Sequence, residues 1–383
     1  MDKVWITILV LSGLLFAYLT AEAVRARQDR KKLQHVIYVN GTRGKSTVSR
    51  LIAAGLAAGG YRVMCKTTGT LPLCLHPDGR EEEIRRRGPA NIREQLKYLH
   101  AAAEEKADIL VIECMALQPE YQRVSARNML RNDIGVITNA RLDHMDVMGE
   151  TRGEILDCLM EMLPEGGSIF TAEQDFRERM SERAKALGSS ICFTSPEDLE
   201  GVPGAAGIDF SENVALALAV CRSLGVSDEA AVKGFTQFRP DPFALAVYHE
   251  GSLTFVNALS ANDVTSTKMI WERTRGGEGE RLILLLNNRE DRPARAADMA
   301  RLAGELQPAE IWLLGESLPA LARLCRKKCP GAEIRVFTNA DEIPLSAETP
   351  TLILAAGNIK NEGIRLAQRA ERELGREEAA DVH

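Results

Sequence analysis

The feature that most restricts this chain is a junction near residue 40. The run His35-Val36-Ile37-Tyr38-Val39 is short and β-branched, the pattern of a buried strand. It ends at Asn40-Gly41, and Thr42-Arg43-Gly44-Lys45-Ser46-Thr47 leads into a helical pattern that reaches about Gly59. Strand, glycine turn and helix in that order make a phosphate-binding corner. The glycines let backbone N–H groups approach phosphate oxygens, and the helix N-terminus adds partial positive charge. Gly41, Thr42, Arg43, Gly44, Lys45, Ser46 and Thr47 are therefore the candidate nucleotide-binding residues, with Lys45 reaching the phosphates and Ser46 or Thr47 suited to Mg²⁺. The standard pattern has a further glycine where Val39 stands, so this loop is a shortened variant. Alone, it supports nucleotide binding and does not separate a GTPase, a kinase and a ligase.

Further strands are expected at 62–66, 108–112, 134–138 and 167–171, with helical spacing between them, as in 91–106. This alternation predicts an α/β fold with a parallel sheet covered by helices. At Phe238-Arg239-Pro240-Asp241-Pro242 two prolines break the pattern. Strands at 253–256, 281–287, 310–314, 333–337 and 351–355 then alternate with helices at 263–275, 293–306, 318–328 and 361–374. A second, Rossmann-like α/β domain is expected there, giving domains at 36–240 and 241–383.

The N-terminus has a different character. Residues 4–21, VWITILVLSGLLFAYLTA, carry no charge, and as a helix they extend about 27 Å, enough to cross a bilayer core. Arg25, Arg27, Arg30, Lys31 and Lys32 follow the apolar run rather than precede it, which favours a retained anchor over a cleaved signal peptide. The positive-inside rule places the rest of the chain in the cytoplasm. Residues 1–24 are read as a single-pass anchor in the cytoplasmic membrane and 25–35 as a basic juxtamembrane linker. The remaining alternative is an apolar helix packed on the protein itself. The net charge of -6 argues against a nucleic-acid partner. The eight cysteines include no Cys-x-x-Cys pair and read as reduced thiols.

Acidic groups narrow the chemistry. Glu113 ends the apolar run Ile109-Leu110-Val111-Ile112, which sets it at the carboxyl edge of the sheet, where ligands bind in such folds and where a carboxylate suits Mg²⁺. Thr138-Asn139-Ala140-Arg141-Leu142-Asp143-His144-Met145-Asp146 places two carboxylates and a histidine at the same edge, making His144 a candidate metal ligand.

With Thr67-Thr68-Gly69-Thr70, these motifs resemble those of the Mur ligase superfamily, which includes the peptidoglycan amino-acid ligases and folylpolyglutamate synthase. The resemblance implies an ATP-dependent amide ligase. A carboxylate attacks the ATP γ-phosphate, an amine converts the acyl phosphate to an amide, and ADP and phosphate leave. By position it implies that Lys45 binds phosphates and that Ser46, Thr47, Glu113 and His144 serve Mg²⁺ or Mn²⁺. Thr70, Asn139 and Asp143 become substrate-contact candidates. In the second domain, 257–263 looks like the family's Asp-Ser-Tyr-Asn-Ala-Asn-Pro segment. Asn262 is then a nucleotide neighbour, and Arg289 and Arg292 are either nucleotide contacts or solvated loop arginines. Many family members carry a carbamylated lysine about fifteen residues after the histidine; 153–164 contains no lysine, so a second metal site would need another ligand.

An apolar span leading directly into a ligase core is similar to the arrangement in the bacterial poly-γ-glutamate synthases. That likeness implies glutamate and a growing poly-γ-glutamate chain as substrates, with small membrane proteins as partners. Arg85, Arg86 and Arg87 can pair with that polyanion, or equally balance Glu81-Glu82-Glu83 as a solvated run. The alternatives are a folylpolyglutamate synthase-like ligase, which the span disfavours, and a membrane-tethered regulatory or transport P-loop ATPase.

Overall fold

The structure, a computed structural model, describes residues 2–375 except for 70, 87, 89, 206, 207, 209, 239–244, 262, 278 and 292. The chain divides into two compact units, Met1–Asp241 and Pro242–His383.

The first unit holds eight strands: β1 (His35–Asn40), β2 (Val63–Lys66), β3 (Leu73–Leu75), β4 (Glu81–Glu83), β5 (Ile109–Glu113), β6 (Ile134–Ile137), β7 (Ser168–Thr171) and β8 (Ser190–Phe193). They lie in the order β4-β3-β2-β5-β1-β6-β7-β8. The strands from β2 to β8 in that order pair in parallel, whereas β3 and β4 add an antiparallel edge. Side chains alternate across β1 as a two-sided core requires. Val36 and Tyr38 join Leu99, Leu110 and Ile112 on one face, and Ile37 and Val39 join Leu51, Ile52 and Val111 on the other.

Helix α2 (Lys45–Ala58) follows β1 and packs on that second face against the helices Ser211–Ser223 and Asp228–Gln237. The approach is close enough to exclude side chains. A Cβ on Gly55 would lie 2.7 Å from both Cys221 Sγ and the Phe235 ring, and one on Gly234 would lie 2.3 Å from the Ala54 carbonyl oxygen.

Helix α1 runs unbroken from Asp2 to Lys32. It is the one helix among the described residues long and apolar enough to cross a membrane, with no part of its apolar window buried. Residues 25–32, expected as a linker, instead continue this helix. Their cations find acceptors far along the chain: Arg30 donates to Asp133 at 2.8 Å and to the Arg131 carbonyl at 2.9 Å, and Lys32 reaches Glu104 at 3.4 Å.

The second unit has six strands: β9 (Ala246–Glu250), β10 (Leu253–Asn257), β11 (Arg281–Asn288), β12 (Glu310–Gly315), β13 (Glu333–Val336) and β14 (Thr351–Gly357). Their order is β13-β12-β11-β14-β10-β9, parallel except for β9. Phe255, Leu285, Leu314 and Ile353 pack with Leu366 and Ala370 of the helix Glu362–Leu374.

Candidate active site

β1 sits between β5 and β6, so the chain leaves it at the point where strand order reverses. The carboxyl edge at such a point is where open α/β sheets take ligands. The register sets Val39 opposite Glu113 and Asn40 opposite Ile137. The turn 41–47 is therefore flanked by the end of β5 and the segment after β6.

Both neighbours hold it. Asn40 Oδ1 accepts the Gly41 N–H at 2.9 Å while Asn40 Nδ2 donates to Gln122 at 2.7 Å. From beyond β6, the Asn139 side-chain oxygen accepts the Thr42 hydroxyl at 2.8 Å and the Arg43 N–H at 3.1 Å. Asn139 Nδ2 donates to the Arg43 carbonyl at 3.2 Å, and Thr138 Oγ1 donates to the same oxygen at 2.5 Å.

Two glycines make this path possible. Gly41 has φ +134° and Gly44 φ +78°, both in the region that favours glycine. A Cβ on Gly41 would lie 2.0 Å from Thr138 Oγ1, and one on Gly44 would lie 2.9 Å from Asn213 Oδ1. Gly44 opens α2 with no capping side chain, so the helix presents its first N–H groups to a ligand.

Lys45 Nζ donates to the Gly41 carbonyl at 2.7 Å, holding the ammonium over the loop. Ser46 Oγ donates at 2.8 Å to Glu113 Oε2, which also accepts the Thr68 N–H at 2.7 Å. Glu113 is only 2% exposed. A hydroxyl against a buried carboxylate beside an uncapped helix end is a donor set that fits Mg²⁺ carrying nucleotide phosphates. Thr47 is half-buried in the first turn of α2. His144 stands in the left-handed region at φ +48°, with Nε2 3.6 Å from Asp143 Oδ2, and the same Asp143 oxygen lies 3.2 Å from Arg43 Nη2. Glu113 with Ser46, and His144 with Asp143, are thus two separate contacts fastened to one loop.

Of the remaining expected residues, Arg85 is exposed, with Glu83 3.9 Å away, and Arg86 forks onto Glu94 at 2.7 and 3.0 Å. In the second unit Arg289 pairs with Asp291 at 2.6 Å. Thr70, Arg87, Asn262 and Arg292 lie outside the described residues, as does the side chain of Asp146.

Two groups of residues were not read from sequence, and a third, at Asn287-Asn288, was read only as the strand end that leads into Arg289. Asn213 arrives at the phosphate loop from a distant helix. At the carboxyl edge of the second sheet Asn287 Nδ2 donates to the Asn358 and Lys360 carbonyls at 2.6 and 3.0 Å, and Asn288 Nδ2 donates to the Glu316 carbonyl at 2.7 Å. Lys66, at the end of β2, is wholly buried against Glu94 at 2.9 Å and Gln95 at 3.3 Å. Burial lowers the Lys66 ammonium below its ordinary range against the pull of Glu94 and Glu113. Burial pushes the Glu94 carboxyl up, but Arg86 and Lys66 outweigh it and bring it down to about 2. A charged residue closing the apolar strand Val63–Lys66 was the available signal for this pair. Among the described residues the one acid–histidine cluster tight enough for a metal is Asp29, His100 and Glu104. Lys32 already lies 3.1 Å from Asp29 and 3.4 Å from Glu104 there.

Fold and loop together define a ligase of the Mur superfamily, and residues 39–214 match the Mur ligase middle domain. Residues 243–373 match the poly-γ-glutamate synthase CapB C-terminal domain. The chain is 32% identical over 321 residues to PGA synthase CapB of Bacillus subtilis, covering 80% of this chain and 82% of that protein. It is 35% identical over 306 residues to the capsule biosynthesis protein CapB of Bacillus anthracis, covering 76% and 66%. Within the superfamily, then, the chain belongs to the CapB-type poly-γ-glutamate synthase family. The fold is also that of E. coli FolC solved in complex with DHPP and ADP, at a TM-score of 0.67, 17% identity and 92% coverage of each chain.

Proposed function

We propose that this chain is an ATP-dependent amide ligase that extends poly-γ-glutamate at the cytoplasmic face of a membrane. The observation that carries the reading is the Ser46–Glu113 contact beside Lys45, at the uncapped start of α2. The glutamate γ-carboxylate attacks the ATP γ-phosphate, ADP leaves, and the amine of the second substrate displaces phosphate from the acyl phosphate to form the amide. Mg²⁺, when bound, would neutralise charge on the phosphates. Lys45 and the α2 N–H groups orient those phosphates, Ser46 and Glu113 would hold the metal, and His144, positioned by Asp143, would supply a further ligand. Asn139, with its side-chain amide occupied by the Thr42 hydroxyl and the Arg43 backbone, acts by positioning the loop rather than by touching substrate. Asn262, Arg289 and Arg292 are assigned to the nucleotide, and Thr70 to the acceptor. α1 anchors the enzyme beside the small membrane proteins that complete the synthase.

The test is ADP release by membranes carrying the full chain, supplied with ATP, Mg²⁺ and single amino acids, with the product identified by mass. Glutamate should stimulate turnover and yield γ-linked oligomers. Lys45→Ala and Glu113→Ala should each lower that rate by about 100-fold or more in folded protein. ATP turnover indifferent to glutamate would instead mark a regulatory or transport ATPase.

A further inference from the structure

We propose that the basic cleft at the N-terminal end of helix α3 (Glu94–Glu104) binds the anionic headgroups of the bilayer that α1 enters. The inference rests on the reading of α1 as a membrane span.

The two helices lie side by side and run in the same direction. Arg93 Nη2 donates to Tyr18 Oη at 2.8 Å and pairs with Glu22; farther along, His100 Nδ1 lies 2.9 Å from Asp29 Oδ2, and Lys32 Nζ lies 3.4 Å from Glu104. Rising numbers in α1 meet rising numbers in α3, so the start of α3 points toward the apolar stretch. That stretch carries an exposed tyrosine, Tyr18, near its charged end, and amphipathic aromatic rings settle at headgroup depth. Arg93, in contact with Tyr18, is thereby held at the same depth.

Around Arg93 the surface forms a cleft of about 370 Å³ lined by Arg85, Arg86, Asn91, Arg93, Glu94 and Lys97. Its charge is positive. Lys66 and Arg86 neutralise Glu94, Arg93 answers Glu22, and Arg85 has Glu83 at 3.9 Å. Lys97 sits over the Tyr98 ring and has no acidic partner among the described residues. The lining itself carries four cations against one carboxylate, with Glu22 and Glu83 beside it. The first turn of α3 is closed by Asn91, whose Oδ1 accepts the Arg93 N–H at 2.9 Å, so the attraction of the cleft rests on its side-chain cations. Arginine forks and a lysine around an open cleft suit phosphate oxygens.

The full chain reconstituted in nanodiscs of phosphatidylcholine, with and without phosphatidylglycerol, tests this by hydrogen exchange over residues 84–98. Phosphatidylglycerol should slow exchange there, by about fivefold for each cation engaged, and high salt should remove the effect. Arg85→Gln with Lys97→Gln should abolish the slowing while entering discs as well as the parent chain. A chain that enters discs but exchanges identically in both lipids overturns the headgroup site alone. Failure to enter discs overturns the anchor reading and this one with it. Soluble poly-γ-glutamate that protects the segment in phosphatidylcholine discs when phosphatidylglycerol does not would assign the cleft to the polymer.

Discussion

Glu94→Gln tests the charge arrangement behind the active-site edge. Glu94 stands between a wholly buried Lys66 and the Arg86 guanidinium, and its carboxyl is brought from 4.5 to about 2. At about 1.4 kcal/mol per pH unit that difference is worth about 3 kcal/mol, reduced to about 2 by solvent reaching the carboxylate. A carboxyl depressed in the folded state stabilises in full above about pH 4.5 and loses its contribution as pH falls toward 2. Substitution also leaves the Lys66 ammonium buried without a carboxylate in contact, among Gln95, the Met115 sulfur at 3.5 Å, the Tyr98 ring and the more distant charge of Glu113. Removing one partner of a buried pair costs about 3–5 kcal/mol, so the loss at pH 7 should fall between about 2 and 5 kcal/mol. Native-state hydrogen exchange of β2 and α3 amides, corrected for the intrinsic rate at each pH, reads it directly. The gap from the parent chain should narrow in acid. Lys66→Met combined with Glu94→Gln should recover most of the loss, because no unpaired charge stays buried. Protection equal to the parent chain at pH 7, or a gap that widens in acid, would refute the reasoning.

Gly44→Ala imposes a left-handed conformation on alanine at a cost of about 1–2 kcal/mol and pushes its Cβ against Asn213. ADP affinity measured by calorimetry should fall about tenfold or more, and an unchanged affinity would mean that the loop does not hold the phosphates. Deleting residues 1–17 should give a soluble chain that keeps the Glu22, Asp29 and Arg30 contacts. Deleting 1–33 also removes buried Leu33, worth about 2 kcal/mol, and should lower the melting temperature of the first unit by about 4–8 °C relative to the shorter deletion; equal melting would show that α1 does not brace the unit.

Much of the site was legible because it depends on local order along the chain. An apolar strand that ends in glycines or in a carboxylate announces both the strand and the edge at which it stops, as at Val39 and Ile112. What escaped depends on contacts between distant segments. Asn213 meets the phosphate loop across some 170 residues of sequence, and nothing around it differs from ordinary helix. Its helix, SENVALALAVCRS, is buried on nearly every side and so lacks the polar–apolar contrast that betrays a surface helix. β3 and β4 have three residues each, too few for an alternation to register. The basic stretch after residue 24 reads as a solvated linker until Asp133 and Glu104, its partners, come alongside.

The bracing of residues 41–43 by Asn40, Thr138 and Asn139 has a kinetic consequence. Ordering a backbone residue costs about 1–2 kcal/mol, and here that cost belongs to folding rather than to capture of the nucleotide. Affinity therefore need not be drawn from rearrangement, and arrival and departure can both be rapid. An enzyme that consumes one nucleotide for every residue it appends must discard the spent one each cycle, and a rigid cradle lets go without first having to melt.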